Sequence, residues 1–185
     1  MNSIELMVDE HRYIVRMLKV VRKACFNILN GEEIDYEDFD KMIDFIKNYA
    51  DVHHHGKEEK ILFTEMIDQL GKMGTNLITH GMLVEHDLGR LYISELKEAL
   101  TRVKSGEDES KLDVIANAIG YANHLARHIA KEDQLIYPYA SGNLKAETLQ
   151  SIDERVDQFE KEAEEKQIQE HYKKILEELE NKLSI

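Results

Sequence analysis

Apolar residues recur at spacings of three and four along most of the chain, and the breaks in that rhythm divide it into helices. Asn2, with Glu5 three residues on, has the form of a capping box. From there Ile4, Met7, Val8, His11, Ile14, Leu18, Val21, Cys25 and Ile28 hold one stripe until Asn30-Gly31 stops it. Asp35 is placed to cap a second helix, with Phe39, Met42, Ile46, Ala50, His54, Glu58 and Ile61 inward and an end near Gly71. Gly71 and Gly74 predict a short turn. A third helix carries Met82, His86, Gly89, Ile93, Leu96, Leu100 and Val103 and stops at Ser105-Gly106. Ser110 is placed to cap a fourth, with Val114, Ala118, Tyr121, Leu125, His128, Glu132 and Leu135 inward, and Pro138 is expected to end it. Short connections between four long helices predict an all-α, up-down-up-down four-helix bundle.

Beyond residue 140 the pattern changes. Leu149, Ile152, Val156 and Phe159 make a short apolar face, and Ile168, Tyr172, Ile175, Leu176, Leu179 and Leu183 another. These predict one or two amphipathic helices, packed on the bundle or offering a homodimer interface. No linker separates them, so residues 1–140 are expected to be the bundle and 141–185 an extension of the same domain.

The inward stripes contain residues that a plain core does not want. His54 and Glu58 lie one turn apart on one face, and the pattern returns as His128 and Glu132. Each is preceded by a Glu-His pair, Glu10-His11 or Glu85-His86. Depth along the helices agrees. His11 lies 20 residues before Gly31 and His54 lies 20 after Ile34, while His86 is 19 before Ser105 and His128 is 19 after Glu109. Antiparallel helices rise equally, so the four histidines come level. A single core histidine is commonplace, but an unpaired buried carboxylate costs on the order of several kcal/mol, a large part of a domain stability of roughly 5–15 kcal/mol. Two such carboxylates among four histidines want a cation.

The ligand types suit iron, zinc, copper or manganese better than calcium or magnesium. Six ligands at one level fit two metals bridged by the glutamates better than one four-coordinate zinc. No histidine has Glu three residues before it, which excludes the ferritin-like di-metal pattern. His124, one turn before His128, is the expected fifth imidazole and leaves one position open beside Met82 and Tyr121. His53 and His55 are expected to flank His54 off the seam, and His80 and His171 to lie elsewhere. Glu59 and Asp133 are expected outside the ligand set, and Lys57 and Lys131 in solvent.

Composition narrows the class. A net charge of -13 argues against nucleic acid. One cysteine, Cys25, excludes an internal disulfide and points to a reducing, cytoplasmic setting. No apolar run is long enough for a membrane span.

Glu-His on helices one and three, His-His-Gly-Lys-Glu-Glu-x-x-Leu-Phe on helix two and His-Ile-x-Lys-Glu-Asp on helix four together resemble the hemerythrin-like HHE cation-binding family. The resemblance implies two iron ions bridged by carboxylates and an oxo or hydroxo group, held by His11, His54, Glu58, His86, His128 and Glu132. It also implies binding or sensing of dioxygen, nitric oxide or peroxide. A di-iron peroxidase or oxidase, or an iron donor for Fe–S repair, is the alternative. Hemerythrin itself has a second histidine a turn away on helix three, where this chain has Met82 and Arg90. Its last motif ends in Asp, so Asp133 competes with Glu132 for the bridging role.

Overall fold

The computed structural model describes residues 1–185. The chain is all-α, with no strand. Helix α1 (Ser3–Leu29) begins at the expected capping box: Asn2 accepts from the Glu5 amide at 2.9 Å while the Glu5 carboxylate accepts from the Asn2 amide at 3.1 Å. Gly31, at φ +89°, turns the chain out of it. Asp35 caps α2 (Tyr36–Phe45), accepting from the Asp38 amide at 3.1 Å. Helix α2 then runs without a break into π-helical turns at Ile46–His55 and Glu58–Leu62 before α3 (Phe63–Gln69).

Beyond α3 the chain departs from expectation at three boundaries. Gly71, at φ +59°, makes the turn alone, and Gly74 lies buried inside α4 (Gly71–Leu77). This helix passes through a π turn at Ile78–Met82 into α5 (Leu83–Lys104), which ends before Gly106 at φ +106°. Ser110 does not cap α6 (Lys111–Lys131); its hydroxyl accepts from Arg102 Nε at 3.0 Å. Pro138 does not end the fourth helical run. A π turn at Glu132–Ile136 leads into α7 (Tyr137–Asn143), and Pro138 follows directly on that turn, in the first turn of α7.

The extension forms α8 (Ala146–Glu165) and α9 (Ile168–Leu183), separated at Gln167 with φ +57°. Both pack on this same chain. Tyr172, Leu176 and Leu179 join the main core with residues of α1 and α2, while Ile152 and Val156 join a second cluster with Met7, Phe63 and Tyr137. Ion pairs line the seam: Arg16 grips Glu180 through two bonds of 2.9 and 2.6 Å, and Lys182 reaches Asp35 and Asp38 at 2.7 Å each. No helix is long and apolar enough to cross a membrane.

Leu176 is 0 % exposed in α9, so Leu176→Ala should cost about 2–5 kcal/mol through lost burial and a cavity. Leu29, 72 % exposed, should change stability by less than about 0.5 kcal/mol when replaced by Ser. Urea unfolding of the two variants checks both; equal midpoints would mean that α9 is not part of the core.

Candidate metal centre

The four helical runs bring His11, His54, His86 and His128 to one buried layer, each at most 3 % exposed, with Glu58 and Glu132 fully buried among them. The imidazoles form two pairs. His11 and His54 approach through their Nε2 atoms at 2.9 Å, and His86 and His128 at 3.0 Å. Every Nδ1 faces a carboxylate: His11 to Asp133 at 2.8 Å, His54 to Glu10 at 2.8 Å, His86 to Glu59 at 2.6 Å and His128 to Glu85 at 2.9 Å. The ring proton therefore belongs on Nδ1, and the Nε2 lone pairs converge.

The carboxylates span the two pairs. Glu132 presents Oε2 to His11 at 3.4 Å and Oε1 to His128 at 2.9 Å and His86 at 3.8 Å. Glu58 Oε2 lies 3.8 Å from His54 and 3.6 Å from His86, while its Oε1 accepts from the Tyr137 hydroxyl at 2.6 Å. Glu58 Oε2 and both Glu132 oxygens are buried without a hydrogen-bond partner. Three orphaned carboxylate oxygens facing inward lone pairs form a donor set that fits metal ions and little else.

The electrostatics reflect this crowding. Burial, followed by the charge of Glu132, pushes the Glu58 carboxyl well above its usual range. Burial opposes the charge on Glu132 too, but His128, His11 and His86 together outweigh it and hold that carboxyl low. Burial likewise works against a charged His11, yet Asp133 and Glu132 push it up to about 9. Burial and the neighbouring His11 push His54 down to about 4. His11 is thus the more basic member of its pair and His54 the less basic.

His124 does not join this cluster. Its Nε2 lies 2.8 Å from the Glu85 backbone carbonyl, and its ring centroid is 6.3 Å from His128. His55 takes the inward position. Its donor nitrogen falls in one group with Glu58, His86 and His128, all ligand atoms lying within 4.8 Å of one another, while His11, His54 and Glu132 form the other group. His55 stacks on His86 at 3.7 Å. The cause is the π turn: a register of i to i+5 places one more residue in each turn than an α-helix, so neighbouring side chains diverge by less than the usual ~100°. His53, His54 and His55 are consequently all buried. Only a disturbed helical register could have revealed this, and the stripe itself shows none. Met82 and Tyr121 are buried, at 4 % and 3 % exposure, and His80 and His171 are exposed.

Lys57 also departs from expectation. It is 0 % exposed, its ammonium bonding Glu10, Glu160 of α8 and, at 3.1 Å, His53. Lys131, by contrast, is 51 % exposed where it pairs with Glu85.

The sequence profile of the hemerythrin HHE cation binding domain matches residues 2–140. No curated protein and no solved structure matches the chain. With three quarters of its length matched and two His/Glu groups in its core, the chain belongs to the hemerythrin HHE cation binding domain family.

Proposed function

We propose that the chain is a di-iron protein that binds or senses a small ligand such as dioxygen, nitric oxide or peroxide. In this reading the four runs are an up-down-up-down bundle. His11 and His54 hold one ion, His55, His86 and His128 the other, and Glu58 and Glu132 bridge them. The observation that carries it is the convergence of four Nε2 atoms, each backed at Nδ1 by a carboxylate, on three unpartnered carboxylate oxygens. Such backing fixes the tautomer and raises ligand basicity. Bound iron would supply Lewis acidity and one-electron redox chemistry. Five imidazoles against two carboxylates bring little negative charge, which favours ligand binding over the stabilisation of high-valent iron.

The two halves of the site are not equivalent. His55 gives the His86 side a third imidazole, so the His11 side would offer a bound ion fewer protein ligands. There Tyr137 stacks on His11 at 5.7 Å and donates to Glu58. A polar phenol against a bridging carboxylate also favours a second reading, a di-iron oxidoreductase.

Iron-replete protein should contain about two iron per chain. His54→Ala and Glu58→Ala should lose iron outright; His55→Ala should keep most of it with an altered optical spectrum, and His124→Ala should change neither. Zinc-only occupancy near one per chain, or an altered spectrum in His124→Ala with none in His55→Ala, would contradict the assignment.

Metal uptake should release protons. His11, raised to about 9, is charged at neutral pH in the metal-free protein and must lose its Nε2 proton to ligate. Affinity should therefore rise with pH up to about 9 and level off above it, and fall on acidification. Titration in weakly buffered dye solution measures this; uptake at pH 7 without acid release would contradict it.

Tyr137→Phe installs the residue that the repeat already has at Phe63, so fold and iron content should persist. Under the ligand-binding reading, the variant changes ligand affinity, and peroxide is not turned over with a reductant by either form. Sustained peroxide turnover in the native chain, reduced about tenfold or more in Tyr137→Phe, would establish the oxidoreductase instead.

A further inference from the structure

A cavity of about 220 Å³ lies between the Ile46–His55 segment and α5, and its inner end is formed by His55 and His86. Its walls are apolar at Ile46, Ile93, Tyr121 and Leu125, and its rim carries Lys47, Arg90 and Lys97. Arg90 is engaged, reaching Asp51 and Glu59 at 2.7 Å each. Lys47 and Lys97 make no ion pair and no side-chain hydrogen bond. The acidic residues of the lining are already spoken for: Asp51 binds Arg90 and His55, and Glu85 binds Lys131 and His128. In a chain of net charge -13, two free ammonium groups at one apolar cavity form a local reversal of sign. Arg90, Lys97 and Lys104 recur every seven residues, so one edge of α5 is basic.

Gly89 supplies an independent observation. It lies in the middle of α5 with ordinary helical backbone, where glycine costs stability relative to alanine. A Cβ built there would meet only a Tyr121 ring carbon, at an ordinary 3.7 Å. Gly120 differs, since its Cβ would come within 2.6 Å of the Tyr92 ring, which would have to shift. No neighbour forbids a side chain at Gly89; what its absence preserves is cavity volume.

We propose that this cavity binds a small organic anion, a monocarboxylate with a short apolar body, whose charge meets Lys47 and Lys97 while its hydrocarbon lies along Ile93 and Tyr121. A neutral diatomic molecule needs neither the volume nor the lysines, and an inorganic phosphate would leave the apolar walls unused. The inference goes beyond the di-iron reading and does not depend on it, because the walls are protein atoms alone.

The test is an NMR titration of the full-length chain, metal-free and zinc-loaded, with butyrate, benzoate and the neutral analogue n-butanol. Saturable shifts confined to residues 46–55, 85–97 and 121–125 are expected with the acids, and at least tenfold weaker binding of n-butanol. Lys97→Glu, an exposed substitution, should weaken butyrate about tenfold, and Gly89→Leu should block it. Failure of the metal reading would appear in metal content and leave these shifts unchanged. Absence of saturable binding, equal affinity for butyrate and n-butanol, or native-strength butyrate binding in either folded variant would overturn the proposal.

Discussion

The structure depends on four imidazole Nδ1–carboxylate contacts. Each fixes a ring so that its other nitrogen points at the centre of the core, and each carboxylate comes from a different helical run than the ring it serves. The contacts therefore cross-link the runs while they aim the lone pairs. Their consequence is an interior in which two further carboxylates, Glu58 and Glu132, are fully buried with three oxygens unpartnered. A buried charge without compensation costs several kcal/mol after relaxation, so a fold of ordinary stability tolerates this arrangement only if cations or protons neutralise it. A charged His11 beside Glu132 supplies a partial answer, and bound cations would supply a fuller one.

The site is built twice. Glu10 serves His54 as Glu85 serves His128, Asp133 serves His11 as Glu59 serves His86, and Phe63 stacks on His86 as Tyr137 stacks on His11. The symmetry is broken at three places. His55 has Ile129 as its counterpart, Asp51 has Leu125, and the Tyr137 hydroxyl has no equivalent on Phe63. One half gains an imidazole and a cavity with a basic rim; the other gains a phenol at a bridging carboxylate.

The doubled motif explains how much of the site was legible in the sequence. His11, His54, Glu58, His86, His128 and Glu132 recur at matched depths on apolar stripes, and periodicity with equal rise is enough to bring them level. All-α architecture and the Asn2, Asp35 and Gly31 boundaries follow from local chemistry in the same way. What escaped depends on helical register. Periodicity of 3.6 places His55 off the ligand face, and the π turns of Ile46–His55 bring it in; His124, in the regular helix α6, turns instead to the Glu85 backbone carbonyl at 2.8 Å. Pro138 reads as a stop for a related reason: the π turn at Glu132–Ile136 makes it the start of a new helical turn. Lys57 escaped for another, because its burial is created by residues a hundred positions away.

That burial ties the extension to the site. Phe159 of α8 lies 3.5 Å from where a Gly56 side chain would begin and packs on His53, and Glu160 closes over the Lys57 ammonium from the outer side. Glu10 receives Lys57 with Oε1 and His54 Nδ1 with Oε2, so one carboxylate joins the contact with α8 to an imidazole of the buried cluster. Its symmetry mate Glu85 is held by Lys131, which is half in solvent. The His54 side is thus clamped by a charged network in which Lys57 is 0 % exposed, while the His128 side rests on a solvated pair that is worth little by itself. An extension that served stability alone needs only apolar burial, which α9 supplies through Leu176 and Leu179. The charged contact of α8 is of another kind: Glu160 binds Lys57, Lys57 binds Glu10, and Glu10 receives His54 Nδ1, so a chain of charged contacts runs from the extension to the core histidines.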